Sequence, residues 1–321
     1  MDATSLSNGT YTITNLTINQ TNVVGEFPEL VEISFEEEIV IGESYDVTIS
    51  ELKDCSGNEI AETTITFGFG RAPTFNEILI TEIMADEVPS VGLPQREYIE
   101  IYNASDDILS TEGMELSDAT GRVSLPMFNI EPQSYVVLTS NSGVSEFANA
   151  VALTSYFSNN LNNSGEPLAL IHESNLIFSI AYDPAWHEES RADGGYALEM
   201  IDLTNPCVES GANWSSSTHP NGGTPGEVNA INNPESVPDN LGPNVLNISA
   251  IGDDSLRIIF DEKIDPESLS MISYTFSPDF NVLTSVVSPE FPEVVFTFSQ
   301  EKLIENVPYT VSIAGVTDCN G

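Results

Sequence analysis

The sequence predicts an all-β protein built from β-sandwich domains in series, and three observations predict it. Short runs alternate apolar and polar residues, as in Tyr45–Ser50, Tyr98–Tyr102 and Leu256–Phe260, the pattern of half-buried strands. Turn residues interrupt such runs about every 8–12 positions, the spacing expected of sandwiches. The two ends of the chain also repeat one another.

The repeat begins at Phe27-Pro28-Glu29, continues through Tyr45-Asp46-Val47-Thr48-Ile49 and closes on Asp54-Cys55-Ser56-Gly57. Its second copy reads Phe291-Pro292-Glu293, Tyr309-Thr310-Val311-Ser312-Ile313 and Asp318-Cys319-Asn320-Gly321, 264 residues later throughout. Upstream, Ser5-Leu6-Ser7 and Tyr11-Thr12 match Ser268-Leu269-Ser270 and Tyr274-Thr275 at an offset of 263. A single-residue slip between strands accounts for the difference. Matches over most of the overlap identify an internal repeat.

In chain order, residues 1–70 form the first copy, with five strands. It lacks counterparts of Val245–Phe260 and ends in the strand Thr63–Phe69. Residues 75–230 form a central β domain, in which Val144–Val151 reads as a short helix. Trp186 and Trp214 are its largest apolar groups and are expected to anchor or cover its core. Residues 231–243 form a linker with prolines at 234, 238 and 243, which predicts an extended, stiff segment. Residues 244–321 form the second copy, with six strands and a helical turn at Asp265–Ile272, capped by Asp265 with Pro266 at its first position. Restoring the parts each copy lacks brings both to seven strands, the number of an immunoglobulin-type sandwich. The expectation is a window on a longer array.

The second copy, through Asp254–Pro266 and its closing Tyr309…Asp318-Cys319-Asn320-Gly321, resembles the Ig-like domains of bacterial surface-layer proteins. The centre resembles a bacterial lamin tail domain. That likeness rests on Ile78–Asp86, on Glu97-Tyr98-Ile99-Glu100-Ile101-Tyr102-Asn103 with Leu116-Ser117-Asp118, on Leu161–Glu166, and on Asn213-Trp214 with Gly222–Asn229. The resemblance implies an Ig-like β-sandwich fold, export or surface display, and no catalytic residues to carry over.

Composition narrows the function further. With 8 Lys+Arg against 50 Asp+Glu the net charge is −42, and such a surface repels phosphate backbones, so nucleic acid is not an expected partner. No apolar run is long enough for a membrane helix, so direct insertion is not expected either. An acidic surface attracts divalent cations, and calcium is the candidate cofactor. The candidate ligands are Glu82, Asp86, Glu97, Glu100 and Asp118, brought together by the loop between Asp86 and Glu97, because hard cations need several oxygen ligands. The competing reading is that Glu82 and Glu100 satisfy backbone donors at strand ends while the others are solvated. His172, His187 and His219 read as surface residues, and no Gly-x-Ser-x-Gly elbow surrounds a serine. No catalytic residue is expected.

Cys55 and Cys319 share a repeat position, and Cys207 falls near the end of the central domain. One reading pairs Cys55 with Cys207, leaving Cys319 for a lamin-tail cysteine beyond the sequence; the other is three thiols. The functional expectation is a non-catalytic structural or adhesive module of a secreted or cell-surface protein. Its partners would be neighbouring repeats of the same protein, and a surface glycan or protein ligand. The alternative is an accessory binding region of a secreted hydrolase whose catalytic domain lies elsewhere.

Overall fold

The computed structural model describes residues 5–6, 9–24, 30–118, 120–153, 161–208, 211–239, 242–266, 268, 273–277, 282–287, 293–298, 302–305 and 307–318. Cys319 and the Phe-Pro dipeptides at 27–28 and 291–292 lie outside them. The fold is all-β. Among the described residues no helix is long and apolar enough to cross a membrane. The chain divides into two compact units, one of residues 1–71 with 106–110 and the other of residues 72–105 with 111–321.

The first unit holds β1 (Thr10–Ile13), β2 (Ile18–Val23), β3 (Val31–Phe35), β4 (Ser44–Ser50) and β5 (Thr63–Gly68). They form a three-stranded sheet in the order β1-β4-β5 and a β2-β3 hairpin. Thr63–Gly68 pairs as a strand because its Thr, Ile and Phe residues suit a pleated surface. Its Phe67 ring lies 5.7 Å from that of Tyr45 and 6.3 Å from that of Phe35. The segment 106–110 joins this unit through Ile108, whose N–H reaches Gly42 O at 2.7 Å, and through an Arg71–Asp107 ion pair at 2.7 Å.

The second unit begins with β6 (Ile78–Met84) and β7 (Tyr98–Asn103). After β8 (Leu109–Ser110), a short strand of the first unit, come β9 (Met114–Ser117), β10 (Arg122–Ser124), β11 (Asn129–Ile130), β12 (Tyr135–Thr139) and β13 (Ala150–Ala152). The domain continues through β14 (Glu166–His172), β15 (Asn175–Tyr182), β16 (Leu198–Met200) and β17 (Trp214–Ser216). Its main layers are a six-stranded sheet, β13-β12-β7-β6-β16-β17, and a four-stranded sheet, β10-β9-β14-β15. Every residue of β6 is buried. On β7 both faces are buried, so Tyr98 and Glu100 are as enclosed as Ile99 and Ile101. Alternation alone predicts one wet face for this strand. The structure corrects that, because a central strand of a covered sheet has none.

The helix expected at 144–151 is absent. Residues 141–149 form turns, and Ala150–Ala152 is β13, parallel to β12. Asn149 takes a left-handed φ of 50° and its carbonyl accepts the N–H of Val137 at 3.1 Å, which ends any helical path. Phe147 packs its ring 5.2 Å from that of Tyr98.

The second copy contributes β18 (Val245–Ala250), β19 (Ser255–Phe260), β20 (Ser273–Ser277), β21 (Val282–Val287), β22 (Glu293–Phe298) and β23 (Thr310–Ala314). One sheet runs β18-β19-β22-β21, and β20 pairs with β23. In the usual immunoglobulin lettering, ABED on one sheet and CFG on the other, these are strands A, B, E, D with C and F. The first copy supplies C, F, G with D and E. Registers agree as well as orders. Thr10↔Ser50, Tyr11↔Ile49, Thr12↔Thr48 and Ile13↔Val47 in the first copy recur as Ser273↔Ala314, Tyr274↔Ile313, Thr275↔Ser312 and Phe276↔Val311 in the second.

The core of the second copy gathers Ile258, Phe260, Ile264, Phe276 and Phe296. Beside it Lys263 is buried, with its ammonium 4.1 Å from the centre of the Phe178 ring and donating to the Ser179 carbonyl. Burial holds that amine well below the usual lysine range. Asp265 starts a turn in which its carbonyl accepts Ser268 N–H at 3.1 Å; the rest of the expected helical turn lies outside the described residues. The proline-rich linker does not run free over its first half. Asn233 N–H binds Ile201 O at 2.7 Å, Val237 N–H binds Asp202 Oδ2 at 3.1 Å, and Asn205 Nδ2 donates to Val237 O at 2.6 Å.

Candidate functional site

Three glutamates line up across the centre of the six-stranded sheet. Glu100 on β7 pairs in register with Glu82 on β6, and Glu82 with Glu199 on β16. A bulge at Thr81, between the pairs Ile80↔Ile101 and Glu82↔Glu100, sets this alignment, since one extra residue reverses the facing of every later residue in the strand. All three carboxylates are fully buried. Like charges directly opposite one another on a sheet are unfavourable, so the ladder needs compensation.

The compensation comes from the segment Gly222–Ile231. Thr224 N–H donates to both oxygens of Glu82, at 3.0 and 3.2 Å. Gly226 N–H reaches Glu100 Oε2 at 2.7 Å, and Ile231 N–H reaches Glu199 Oε2 at 3.1 Å. Hydroxyls complete the set: Tyr98 to Glu82, and Thr81 to Glu100 at 2.8 Å. Asn229 Nδ2 ties the same segment to the carbonyls of Thr81 and Met200, at 3.0 and 2.9 Å. Gly223 has to be glycine, because a Cβ there would fall 2.3 Å from Glu82 Oε1 and 2.6 Å from the Tyr98 oxygen.

Thr224 Oγ1 lies 3.1 Å from Glu82 Oε2 and 3.1 Å from Glu199 Oε1. A hydroxyl has one proton to give, so the two contacts together require a proton on one of the two carboxyls. Burial, reinforced by the Glu199 charge, raises the Glu82 carboxyl to about 8. Burial also raises Glu100 well above the usual carboxylate range and pushes Glu199 up. The ladder is a proton-sharing clamp on a backbone segment. Its oxygens are occupied by N–H and O–H donors, the opposite of what a calcium site offers.

The five residues expected to hold calcium are therefore not one site. Glu82 and Glu100 belong to the ladder. Glu97 accepts Leu161 N–H at 3.0 Å and is raised to about 7, chiefly by burial, with Glu87, Glu166 and Asp86 adding repulsion. Asp118 Oδ1 accepts from Thr120 N, Thr120 Oγ1 and Gly121 N at 2.6–2.8 Å, an Asx turn that closes the β9–β10 hairpin. Asp86 lines a separate cleft. Among the described residues, a group of three carboxylates whose oxygens lie within 4.8 Å of one another is formed by Asp239, Glu262 and Asp318. Burial, with the Asp239 and Asp318 charges next, raises Glu262 to about 7.

The cleft has a volume of about 40 Å³ and is lined by Ile83, Leu198, Asp86, Asn163, Tyr182 and His187 among others. His187 is half-buried, as are His172 and His219. His187 Nδ1 lies 2.9 Å from Ser216 Oγ. Ser216 is 1% exposed and its oxygen already accepts Glu188 N–H at 3.0 Å, so this pair braces a loop and does not present a nucleophile. Trp186 and Trp214 meet with rings 6.3 Å apart, and Trp214 is fully buried.

Cys207 is buried and disulfide-bonded, and Cys55 is an exposed thiol. A Cys55–Cys207 bridge is thus not formed. The first copy carries its cysteine on a turn, Asp54–Asn58, held by Asp54 Oδ1 accepting Ser56 and Asn58 N–H at 2.8 and 2.9 Å, and that turn leaves the thiol in solvent.

Of these features, sequence reasoning singled out Glu82 and Glu100 and missed Glu199 and Thr224. The signal was present in Gly222-Gly223-Thr224-Pro225-Gly226, whose closely set glycines mark a backbone approaching another group.

No curated protein matches the chain. A solved structure, the surface layer protein SbsC, domains 1-6, aligns with 10% identity and a TM-score of 0.18 over 98% of this chain and 49% of that one. This chain thus spans about half the length of that structure. The family description Lamin Tail Domain matches residues 71–184, which covers the carboxylates of β6 and β7 and stops before β16, β17 and the clamped segment. Residues 71–184 are thus similar to a lamin tail domain.

Proposed function

We propose that this chain is a non-catalytic structural module of a secreted or cell-surface protein, in which β-sandwiches in series space or display their neighbours. The observation that carries the reading is the repeat: one immunoglobulin-type topology recurs in the same register on either side of the lamin tail domain. Repetition of a whole sandwich favours a part whose output is length and spacing. The most polar interior feature, the glutamate ladder, is spent on holding backbone. A disulfide at Cys207 fits an oxidising location. The charge of −42 favours solubility and partners other than nucleic acid, namely neighbouring repeats and a surface glycan or protein.

Antibodies against this chain test the location on intact cells of its source, compared with permeabilised ones. Labelling of intact cells is the expected result; labelling that requires permeabilisation overturns it. A hydrolase panel run on the purified chain tests the non-catalytic part, and turnover that survives repurification would refute it.

A further inference from the structure

Cys207 is buried and disulfide-bonded, and Cys55 carries an exposed thiol. The chain has three cysteines, which leaves Cys319, one residue beyond Asp318, as the remaining one. Two sets of contacts bring Asp318 toward Cys207. The first runs through the central domain. Asn76 donates from Nδ2 to Cys207 Sγ at 3.5 Å and from its N–H to Ile177 O at 2.8 Å. The residues after Ile177 hold Lys263, whose ammonium sits 4.1 Å from the Phe178 ring centre and donates to Ser179 O. Its neighbour Ile264 forms an antiparallel bridge with Asp318. The second set runs through the linker. Asn205, just before Cys207, donates from Nδ2 to Val237 O at 2.6 Å. Just after Val237, Asp239 lies with a carboxylate oxygen within 4.8 Å of oxygens of both Glu262 and Asp318. Both routes start at Cys207 and end at Asp318.

We propose that Cys207 and Cys319 form a disulfide latch that locks the central domain to the second sandwich. Linked cysteines need Cα atoms roughly 4.4–6.8 Å apart, and the two routes converge on the residue next to Cys319. In forming the bond both S–H bonds break and one S–S bond forms. The two protons and two electrons pass to a disulfide oxidant, which leaves as a dithiol. What the latch holds shut is the joint at Lys263. Keeping an amine buried against a ring and a carbonyl costs free energy, and three carboxylates crowd the same joint. Both features favour opening, and a covalent bond opposes it without adding charge. The central domain and the second sandwich accordingly belong to one compact unit.

The latch deepens the spacer reading, since sandwiches in series need stiff joints, and it rests on that reading only for its purpose. Peptide mapping reports the bond wherever the protein resides, so it and antibody labelling fail independently. The full chain, kept from reductant, is alkylated, digested and mapped by mass spectrometry. The expected result is the Cys207 peptide joined to the Cys319 peptide, with Cys55 alkylated. Amide hydrogen exchange is then compared before and after reduction. Exchange at residues 177–179 and 263–265 should rise at least about tenfold on reduction, while β6 and β7 stay as protected as before. Cys319→Ser should make Cys207 alkylatable in the unreduced chain, and Cys207→Ser should do the same for Cys319. Cys207 joined to Cys55, to a second chain or to a small thiol would overturn the pairing. Exchange at the joint unchanged by reduction would overturn the latch.

Discussion

Tyr45 and Tyr309 make the same bond 264 residues apart: each phenol oxygen accepts the N–H of the residue five positions before it, Val40 and Ile304, at 3.0 Å in both copies. A tyrosine tied back to upstream backbone marks the E–F corner of immunoglobulin-type sandwiches. Tyr45→Phe removes a partner from Val40 in a closed setting and should cost about 1–2 kcal/mol. Tyr309→Phe should cost less, because water can replace the lost oxygen at the more open Tyr309. Urea denaturation of the two variants checks the order; a larger loss at Tyr309 would contradict it.

The glutamate ladder predicts a stability that falls on the alkaline side. Glu82, Glu100 and Glu199 all have folded-state values above their ordinary 4.5, with Glu82 at about 8. A raised carboxyl favours the folded state most while it is protonated in both states, below about 4.5, and that advantage is lost as pH rises through about 8. Urea midpoints should therefore drop between pH 5 and pH 9. General repulsion among 50 acidic residues also grows with pH over the lower part of this range. Glu82→Gln, which keeps a carbonyl acceptor and cannot ionise, separates the two effects by flattening the slope from pH 6 to pH 9. An unchanged slope in this variant would remove the ladder from the explanation.

Thr224 bridges two carboxyls that share a proton, and its hydroxyl does so from a buried position. Thr224→Val keeps the shape and deletes the hydroxyl. It should destabilise the second unit by roughly 1–3 kcal/mol, the cost of leaving buried acceptors unsatisfied. Thr224→Ser should recover most of that loss. Equal stability of the valine variant and the native chain would show that the bridge is energetically empty.

How much of this was legible in the sequence depends on the range of the interaction. The strands Tyr45–Ser50, Tyr98–Tyr102 and Leu256–Phe260 were legible because period-two patterning is local. The repeat was legible because register follows pattern. Glu199 was not, since the three-residue strand Leu198–Met200 shows no periodicity and gains its meaning only by lying beside Glu82. For Glu82 and Glu100 the sequence left two readings, a cation site and carboxylates that satisfy backbone donors; the structure agrees with the second, and the donors themselves, the N–H groups of residues 224 and 226, lie more than 120 positions away and could not be named from the sequence.

The cysteines should divide cleanly by chemistry. Alkylation of the native chain without reductant should modify Cys55, and Cys207 only after reduction. Breaking the Cys207 bond should lower the melting point of the second unit, in line with the roughly 2–5 kcal/mol typical of native disulfides. Peptide mapping by mass spectrometry decides this, and modification of Cys207 in the unreduced native chain would refute it.

Identical pairing on both sides of an intervening domain has a genetic consequence. Unequal crossing-over between the two stretches that encode the sandwiches would join the front of one to the back of the other and still yield matching strands. Each such event adds or deletes one lamin tail domain together with one whole sandwich. Lengths among descendants of this gene should then differ in steps of about 264 codons, the repeat offset, with breakpoints tolerated anywhere inside the duplicated region and not only at its borders.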